Sequence, residues 1–289
     1  MSSGPFLPHY IAERAKVLED AGIESGKAEM EWILCHVLKM DRLNLYLHGS
    51  AVLSDEAKSQ IEEIIARRRT RYPLQFILEE SWFYGRKFYV TPTVMAPTPE
   101  TEGLCETAID FAGRHNLRTP RILDVGVGSG VITVTMAAEL DTAEVIAVDI
   151  SAEALAVARK NVEAHGVAGR VTLIESDFFS SVPTEKKFDL ILSNPPYIRE
   201  ADYPTLQREV LEDPKIAMTA GEDGLDAIRA IVKNAPRFLA PGGRAMFEIG
   251  MGQSSQVARL AQDDRRYSSF TSVTDLNDID RIVILACDE

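Results

Sequence analysis

The chain is poor in cysteine. Its 289 residues hold three, Cys35, Cys105 and Cys287, far apart and with no CxxC pair. Such a set excludes a disulfide framework and offers no metal-ligand spacing. No metal is expected, and the cysteines read as small apolar residues of a reducing, cytoplasmic interior. Long apolar runs are lacking too: no stretch of about 18 apolar residues occurs, so no membrane-spanning helix is expected. The opening MSSGPFLPHY has neither a basic start nor an apolar core, so no secretory leader is expected there. Positive charge is in deficit. The 31 Lys and Arg against 44 Asp and Glu leave a formal charge of −13, which argues against nucleic acid as a partner unless a local basic patch supplies the contact.

What remains is an ordinary globular composition, 45% hydrophobic and 26% charged, with a length suited to about two domains. Residues 9–72 carry helical periodicity. Met30, Ile33, Leu34, Val37 and Leu38 form one apolar stripe, and Ala57, Ile61, Ile64 and Ile65 a second, with Ser54 as its N-cap. The basic run ARRRTR (66–71) reads either as a solvated last turn that complements the helix dipole or as a docking surface. SWFYGRKFYV (81–90) reads as two short strands around Gly85, followed by a linker with Pro92, Pro97 and Pro99. The expected domains are 1–80, 81–102 for hairpin and linker, and 103–289.

From about residue 103 apolar strands alternate with helical patterns. The strands are RILDV (121–125), EVIAVDI (144–150), RVTLIES (170–176), FDLILSN (188–194) and RAMFEIG (244–250). Helices are expected at 129–140, 152–165, 223–240 and 253–264. The strands are apolar throughout, as in a sheet covered on both faces, so the fold class is α/β, a doubly wound and mostly parallel sheet. SFTSVTDL and DRIVILACD form an antiparallel pair at one edge.

DVGVGSG (124–130) lies between a strand and a helix. Gly126, Gly128 and Gly130 permit a tight turn and close approach of a ligand, with Val127 and Ser129 between them. A dinucleotide fingerprint fails, because its sixth position is Val131, and no Gly-Lys-Ser/Thr follows for a phosphate loop. Asp149 ends the next strand 19 positions after Gly130, where an acid commonly holds a ribose diol. A nucleoside without pyrophosphate fits this pair, S-adenosyl-L-methionine better than NAD. SDFF (176–179) ends the third strand, with Asp177 suited to an adenine amino group and Phe178 to its ring. A helix cap and a core aromatic remain the alternative for those two.

ILSNPPYIRE (191–200) ends the fourth strand. Pro195 and Pro196 fix φ near −65° and donate no hydrogen bond, and Pro195 holds Asn194 extended. The Asn194 side-chain oxygen and the Pro195 carbonyl can then grip both hydrogens of a flat –NH2 group, with the Tyr197 ring beneath it. An isolated Asn-Pro-Pro-Tyr also serves as a rigid strand end, which is the alternative reading.

With these motifs, AVDIS (147–151), AGEDGLDAIR (220–229), PGGRAMFEIGMGQ (241–253) and PLQFILEESWFYGRKFYVTPTVMAPTPETEGL (73–104), the chain resembles the peptide chain release factor glutamine methyltransferases of the PrmC/HemK type. The resemblance spans nearly the whole chain. It implies a class I S-adenosylmethionine-dependent methyltransferase, with a Rossmann-like, mostly parallel seven-stranded sheet and a small N-terminal helical domain that docks the substrate. It implies methyl transfer to the glutamine amide of the Gly-Gly-Gln loop of class I release factors, leaving S-adenosyl-L-homocysteine. By match, Gly126 to Gly130, Asp149, Phe178 and Asn194 face the cofactor. Asn194, Pro195, Pro196 and Tyr197 hold the substrate, with Asn194, Pro195 and Tyr197 as the catalytic set. The family often has Trp at Phe178 and usually Arg at Thr98. The Thr98 departure leaves the exact substrate open, and SWFYGRKFYV also resembles sister enzymes that methylate a ribosomal-protein glutamine. A nucleic-acid exocyclic amine presents a similar –NH2 to the same acceptors and is a further alternative, and Thr98 alone favours a binding module without turnover.

Overall fold

The computed structural model describes residues 7–47 and 53–287. The start of the opening stretch read for a leader, residues 1–6, lies outside them. The chain divides into two compact units, one of residues 1–80 with 207–212 and one of 81–206 with 213–289.

The smaller unit is helical: α1 Leu7–Glu19, α2 Gly26–Leu38, α3 Arg42–Leu47, α4 Asp55–Arg68 and α5 Leu74–Leu78. Met30, Ile33, Leu34, Ile61 and Ile65 are buried together, so the two stripes face one core. Ser54 caps α4, its Oγ accepting the Ala57 N–H at 3.1 Å. The run 66–71 matches neither reading taken whole. Arg68 is 5% exposed and lies in an internal ion network with Glu29 and Glu209, while Arg67 and Arg69 are exposed. A turn at a helix end interleaves exposed and inward positions, and the inward one found two carboxylates.

A two-stranded hairpin follows, β1 Glu80–Phe83 and β2 Arg86–Tyr89, which from Ser81 on belongs to the larger unit. Tyr84 and Gly85 turn it with φ of +50° and +70°, the pair of positive values a tight two-residue hairpin demands. There follow α6 Glu100–Arg114, β3 Arg121–Val125, α7 Val131–Glu139, β4 Glu144–Asp149, α8 Ala152–Ala164, β5 Val171–Glu175, β6 Phe188–Ser193, α9 Lys215–Met218, α10 Asp226–Asn234, β7 Leu239–Glu248, α11 Ser254–Asp264, β8 Tyr267–Thr274 and β9 Asp280–Cys287. Seven strands form one sheet in the order β5-β4-β3-β6-β7-β9-β8, parallel except for β9, which runs antiparallel to both its neighbours. Two buried clusters are built on the sheet, one around Phe188, Ile228 and Phe247, the other around Phe88, Leu104 and Leu192. No helix among the described residues is long and apolar enough to cross a membrane.

Three elements differ from the sequence reading. The helix expected over 223–240 stops at Asn234, where Pro236 removes the next backbone donor and a short 3-10 turn follows. β7 begins at Leu239, five residues early, and runs through Pro241-Gly242-Gly243. α6 starts inside the expected linker, because Pro99 sits at its N-cap rather than breaking it.

Candidate functional site

The carboxyl ends of β3, β4, β5 and β6 meet at one edge of the sheet, where an open doubly wound sheet places its ligand. A cleft of about 380 Å³ opens there, and its lining is mostly apolar.

The glycine turn forms its floor. Gly126, Gly128 and Gly130 have φ of +82°, +51° and +84°, values L residues rarely adopt. A side chain at Gly126 or Gly128 would point into open space, so the backbone there is left bare toward the cleft. At Gly130 a Cβ would stand 3.3 Å from Ala158 Cα, so this glycine lets α7 and α8 approach each other. Asn161, buried on α8, holds the turn from behind. Its Nδ2 donates to the Ser129 and Tyr89 carbonyls, both at 2.8 Å, and its Oδ1 accepts the Tyr89 N–H at 2.8 Å. The aromatic hairpin is thereby a buttress for the turn.

Asp149, the last residue of β4, lines the cleft. Its Oδ2 accepts the Gly128 N–H and its Oδ1 the Ser151 N–H, each at 2.9 Å. A carboxylate has about four acceptor positions, so two remain. Asp124, beneath the turn, is fully buried, with Oδ2 accepting from Thr133 at 2.6 Å and Oδ1 unpartnered. Burial pushes its pKa up to about 7, with the Thr133 hydrogen bond opposing and Asp149 adding to the rise.

Asp177 and Phe178 line the same cleft. Phe178 has φ of +46° and is held there by Ser176, whose Oγ donates to its carbonyl at 2.9 Å and accepts the Ser181 N–H at 2.9 Å. The opposite wall joins Thr93–Pro97 to Pro214, Ile216 and Ala217. Asp213 ties the two segments, its Oδ1 accepting the Ala96 N–H at 3.0 Å. Burial raises the Asp213 pKa to about 6, against the lowering effect of that bond.

The stretch 194–197 separates the cleft from a neighbouring groove. Asn194 and Pro196 line the cleft. Tyr197 lines the groove, a larger and more polar space of about 1220 Å³ that also meets Arg199, Asp223 and Arg229. Pro195 is buried and lines neither. The Tyr197 hydroxyl is pushed up to about 12 by burial, then by the nearby Glu248, with Arg281 opposing.

Three side-chain anchors, Ser193, Gln253 and Thr101, hold this stretch. Ser193 Oγ donates to the Val125 carbonyl at 2.6 Å, tying the end of β6 to the glycine turn. Gln253 Nε2 donates to the Tyr197 and Gly224 carbonyls at 3.0 and 3.2 Å, while its Oε1 accepts the Gly250 N–H at 2.8 Å. Thr101 Oγ1 accepts from Asn194 Nδ2 at 2.9 Å, and Thr98 Oγ1 lies 3.5 Å from the same oxygen. Behind Thr101 is Glu248, 3% exposed and raised to about 7 by burial, with the Thr101 hydrogen bond and Arg281 opposing and Glu100 adding to the rise.

Comparison with known proteins places the chain. The Methyltransferase small domain family matches residues 111–222 and the PrmC N-terminal domain family residues 10–78. A release factor glutamine methyltransferase of Geobacter sulfurreducens is 42% identical over 267 residues, 92% of this chain and 91% of that protein. One of Cereibacter sphaeroides is 42% identical over 269 residues, 92% and 93% respectively. Among solved structures, the T. thermophilus 16S rRNA N2 G1207 methyltransferase in complex with AdoMet and guanosine shares the fold. Its TM-score is 0.54 at 21% identity, over 73% of this chain and 50% of that one. The chain belongs to the release factor glutamine methyltransferase family.

Proposed function

We propose that the protein transfers a methyl group from S-adenosyl-L-methionine to the side-chain amide nitrogen of the glutamine in the Gly-Gly-Gln loop of class I release factors. The observation that carries this reading is the Asn194 contact. Its Nδ2 is engaged by Thr101 at 2.9 Å, which leaves Oδ1 as the acceptor beside the cleft.

The residues present fit the cofactor. Bare backbone at Gly126 and Gly128 admits the close approach of a nucleoside. Asp149 keeps lone pairs for two ribose hydroxyls after bracing the turn. Phe178 offers an aromatic wall for a base, and Asp177 an acceptor for its amino group. Bound there, S-adenosyl-L-methionine supplies an electrophilic methyl group.

The chain's task is then to make an amide nitrogen attack. Its lone pair is delocalised, the same resonance that gives a peptide bond its barrier of about 18–20 kcal/mol. Methylation puts positive charge on that nitrogen. Asn194 Oδ1, beside the cleft, accepts one of its hydrogens and binds the developing charge more strongly than the neutral amide, which is the condition for catalysis, whereas the buried Pro195 holds the stretch rigid. Tyr197, on the groove side, offers its ring to the flat amide, so the substrate loop enters from the groove and meets the cofactor across Asn194. The alkylated nitrogen is acidic and releases its proton to water. The helical unit docks the release factor.

The test is mass spectrometry of the Gly-Gly-Gln peptide from unmethylated release factor, with and without this protein and labelled cofactor. Gain of one methyl on the glutamine is expected, and loss of that gain in Asn194→Ala with cofactor binding largely kept. An unmodified glutamine would overturn the proposal.

A further inference from the structure

Beyond Tyr197 the chain makes a long excursion and returns to where it left. Ile198 pairs with Thr219 in an isolated parallel bridge, its N–H donating to the Met218 carbonyl and its carbonyl accepting the Ala220 N–H, each at 2.9 Å. Residues 199–218 are therefore a loop closed at its base by backbone bonds. Its returning limb lines the cleft through Pro214, Ile216 and Ala217. That limb has an anchor at each end: the bridge at Thr219, and Asp213, whose Oδ1 accepts the Ala96 N–H at 3.0 Å. Of the two, only Asp213 acts through its side chain.

Between these anchors stands Ile216, which lines the cleft yet is 62% exposed. Ile150, next to Asp149, lines the same cleft and is 51% exposed. A single apolar side chain in water needs no explanation. Two that line one mostly apolar cleft are what a flat, weakly polar ring system covers, with orientation left to a few fixed polar groups such as Asp149. Ile216 belongs to α9, a helix of only four residues. So short a helix does not hold its own place, and its position depends on the anchors at its two ends.

We propose that Asp213 is a positioning residue for the cofactor: by joining the returning limb to Ala96 it sets Ile216 against the bound nucleoside and slows its release. The inference rests on the cofactor reading given above and extends it to the wall facing the glycine turn. Asp213 itself lines neither the cleft nor the neighbouring groove, so it acts through the limb. Without its bond the limb keeps the bridge at Thr219 alone, and Ile216 loses its fixed place. The loss falls on retention rather than on encounter, because the apolar contact forms only once the nucleoside is seated.

The test uses the full-length protein and S-adenosyl-L-methionine, with no release factor. Calorimetric titration and stopped-flow dissociation are compared for wild type, Asp213→Ala, Asp213→Asn, Ile216→Ala and the double variant Asp213→Ala with Ile216→Ala. Asparagine keeps an Oδ1 for the Ala96 N–H. Asp213→Ala is expected to bind about tenfold more weakly, almost wholly through faster dissociation, and Asp213→Asn to stay within about threefold of wild type. Ile216→Ala is expected to lose about three- to tenfold. In the double variant the two losses should not multiply, because Ile216 acts only where Asp213 holds it. An Asp213→Ala protein with wild-type affinity and dissociation rate, or a double variant whose losses multiply in full, overturns the inference. Should Asp213→Ala fail to fold, Ile216→Ala, at an exposed position, decides instead, and wild-type affinity there overturns it. A wild type that binds no S-adenosyl-L-methionine overturns the cofactor reading and this inference with it. Binding without methyl transfer to the release-factor glutamine overturns the proposed function alone.

Discussion

Asp149 Oδ2 accepts the backbone N–H of Gly128 at 2.9 Å, so the acid at the end of β4 and the turn at the end of β3 are one unit. Removing the acid therefore does two things at once. It releases Gly128, whose φ of +51° is otherwise held, and it deletes the lone pairs offered to a ribose diol. Asp149→Ala is expected to weaken S-adenosyl-L-methionine by about 10- to 100-fold, or about 1.4–2.8 kcal/mol. Calorimetric titration measures this. Unchanged affinity would mean that the acid serves the turn alone.

Gly224 has a comparable role for the Asn-Pro-Pro-Tyr stretch. Its φ is +76°, and an added Cβ would stand 2.4 Å from the Tyr197 carbonyl oxygen. Gln253 completes the hold through its three bonds to Tyr197, Gly224 and Gly250. Gly224→Ala must move the backbone at Tyr197, and displacement of reacting groups by about 1 Å costs on the order of 100-fold in rate. Its kcat should fall by about that factor. Gln253→Ala should fall less, and both should keep cofactor affinity. A kcat within about threefold of wild type in Gly224→Ala would show that the stretch is held by other means.

Local signals were legible in the sequence and long-range ones were not. RILDV coincides with β3, and Gly126 to Ser129, Asp149, Phe178 and Asn194 line one cleft, while Gly130 packs against Ala158 instead. Each is marked by residue type and by its place after a strand. Thr101 carries no local signal because its meaning comes from a hydrogen bond to Asn194, 93 positions away in the chain. Tyr197 was read beside Asn194, yet its ring faces the groove, since consecutive residues in an extended stretch point to opposite sides. Pro99, read as part of a linker, stands at the start of α6, because its ring is also tolerated at helix starts.

Three buried acids predict how stability varies with pH. Asp124, Asp213 and Glu248 have folded pKa values of about 7, 6 and 7, above their ordinary 3.8, 3.8 and 4.5. Between the two sets of values the folded chain binds more protons than the unfolded chain. Their contribution to stability therefore falls as pH rises from about 4 to 7. Asp213→Asn keeps the Oδ1 that accepts the Ala96 N–H and removes the ionisation. It should raise Tm above about pH 7 and leave it unchanged near pH 4. A Tm difference of the same size at every pH would show that the carboxyl is not raised.

Arg68 is the residue on which the helical unit turns. Nε and Nη2 donate to the two oxygens of Glu29 at 2.7 and 3.1 Å, and Nη1 donates to Glu209 at 3.1 Å. Arg71 meets the same Glu209 at 2.6 Å. Breaking a buried pair by removing one partner leaves charge uncompensated and costs about 3–5 kcal/mol. Arg68→Ala should therefore lower the denaturant midpoint of the unit sharply. Arg69→Ala, at an exposed position, should change stability by about 0.5 kcal/mol or less. If the helical unit docks release factor through its basic end, Arg69→Ala together with Arg67→Ala raises KM without touching kcat. Chemical denaturation and steady-state kinetics separate the two effects. A stable Arg68→Ala would mean that Glu29 and Glu209 find water, and that the network is a surface feature after all.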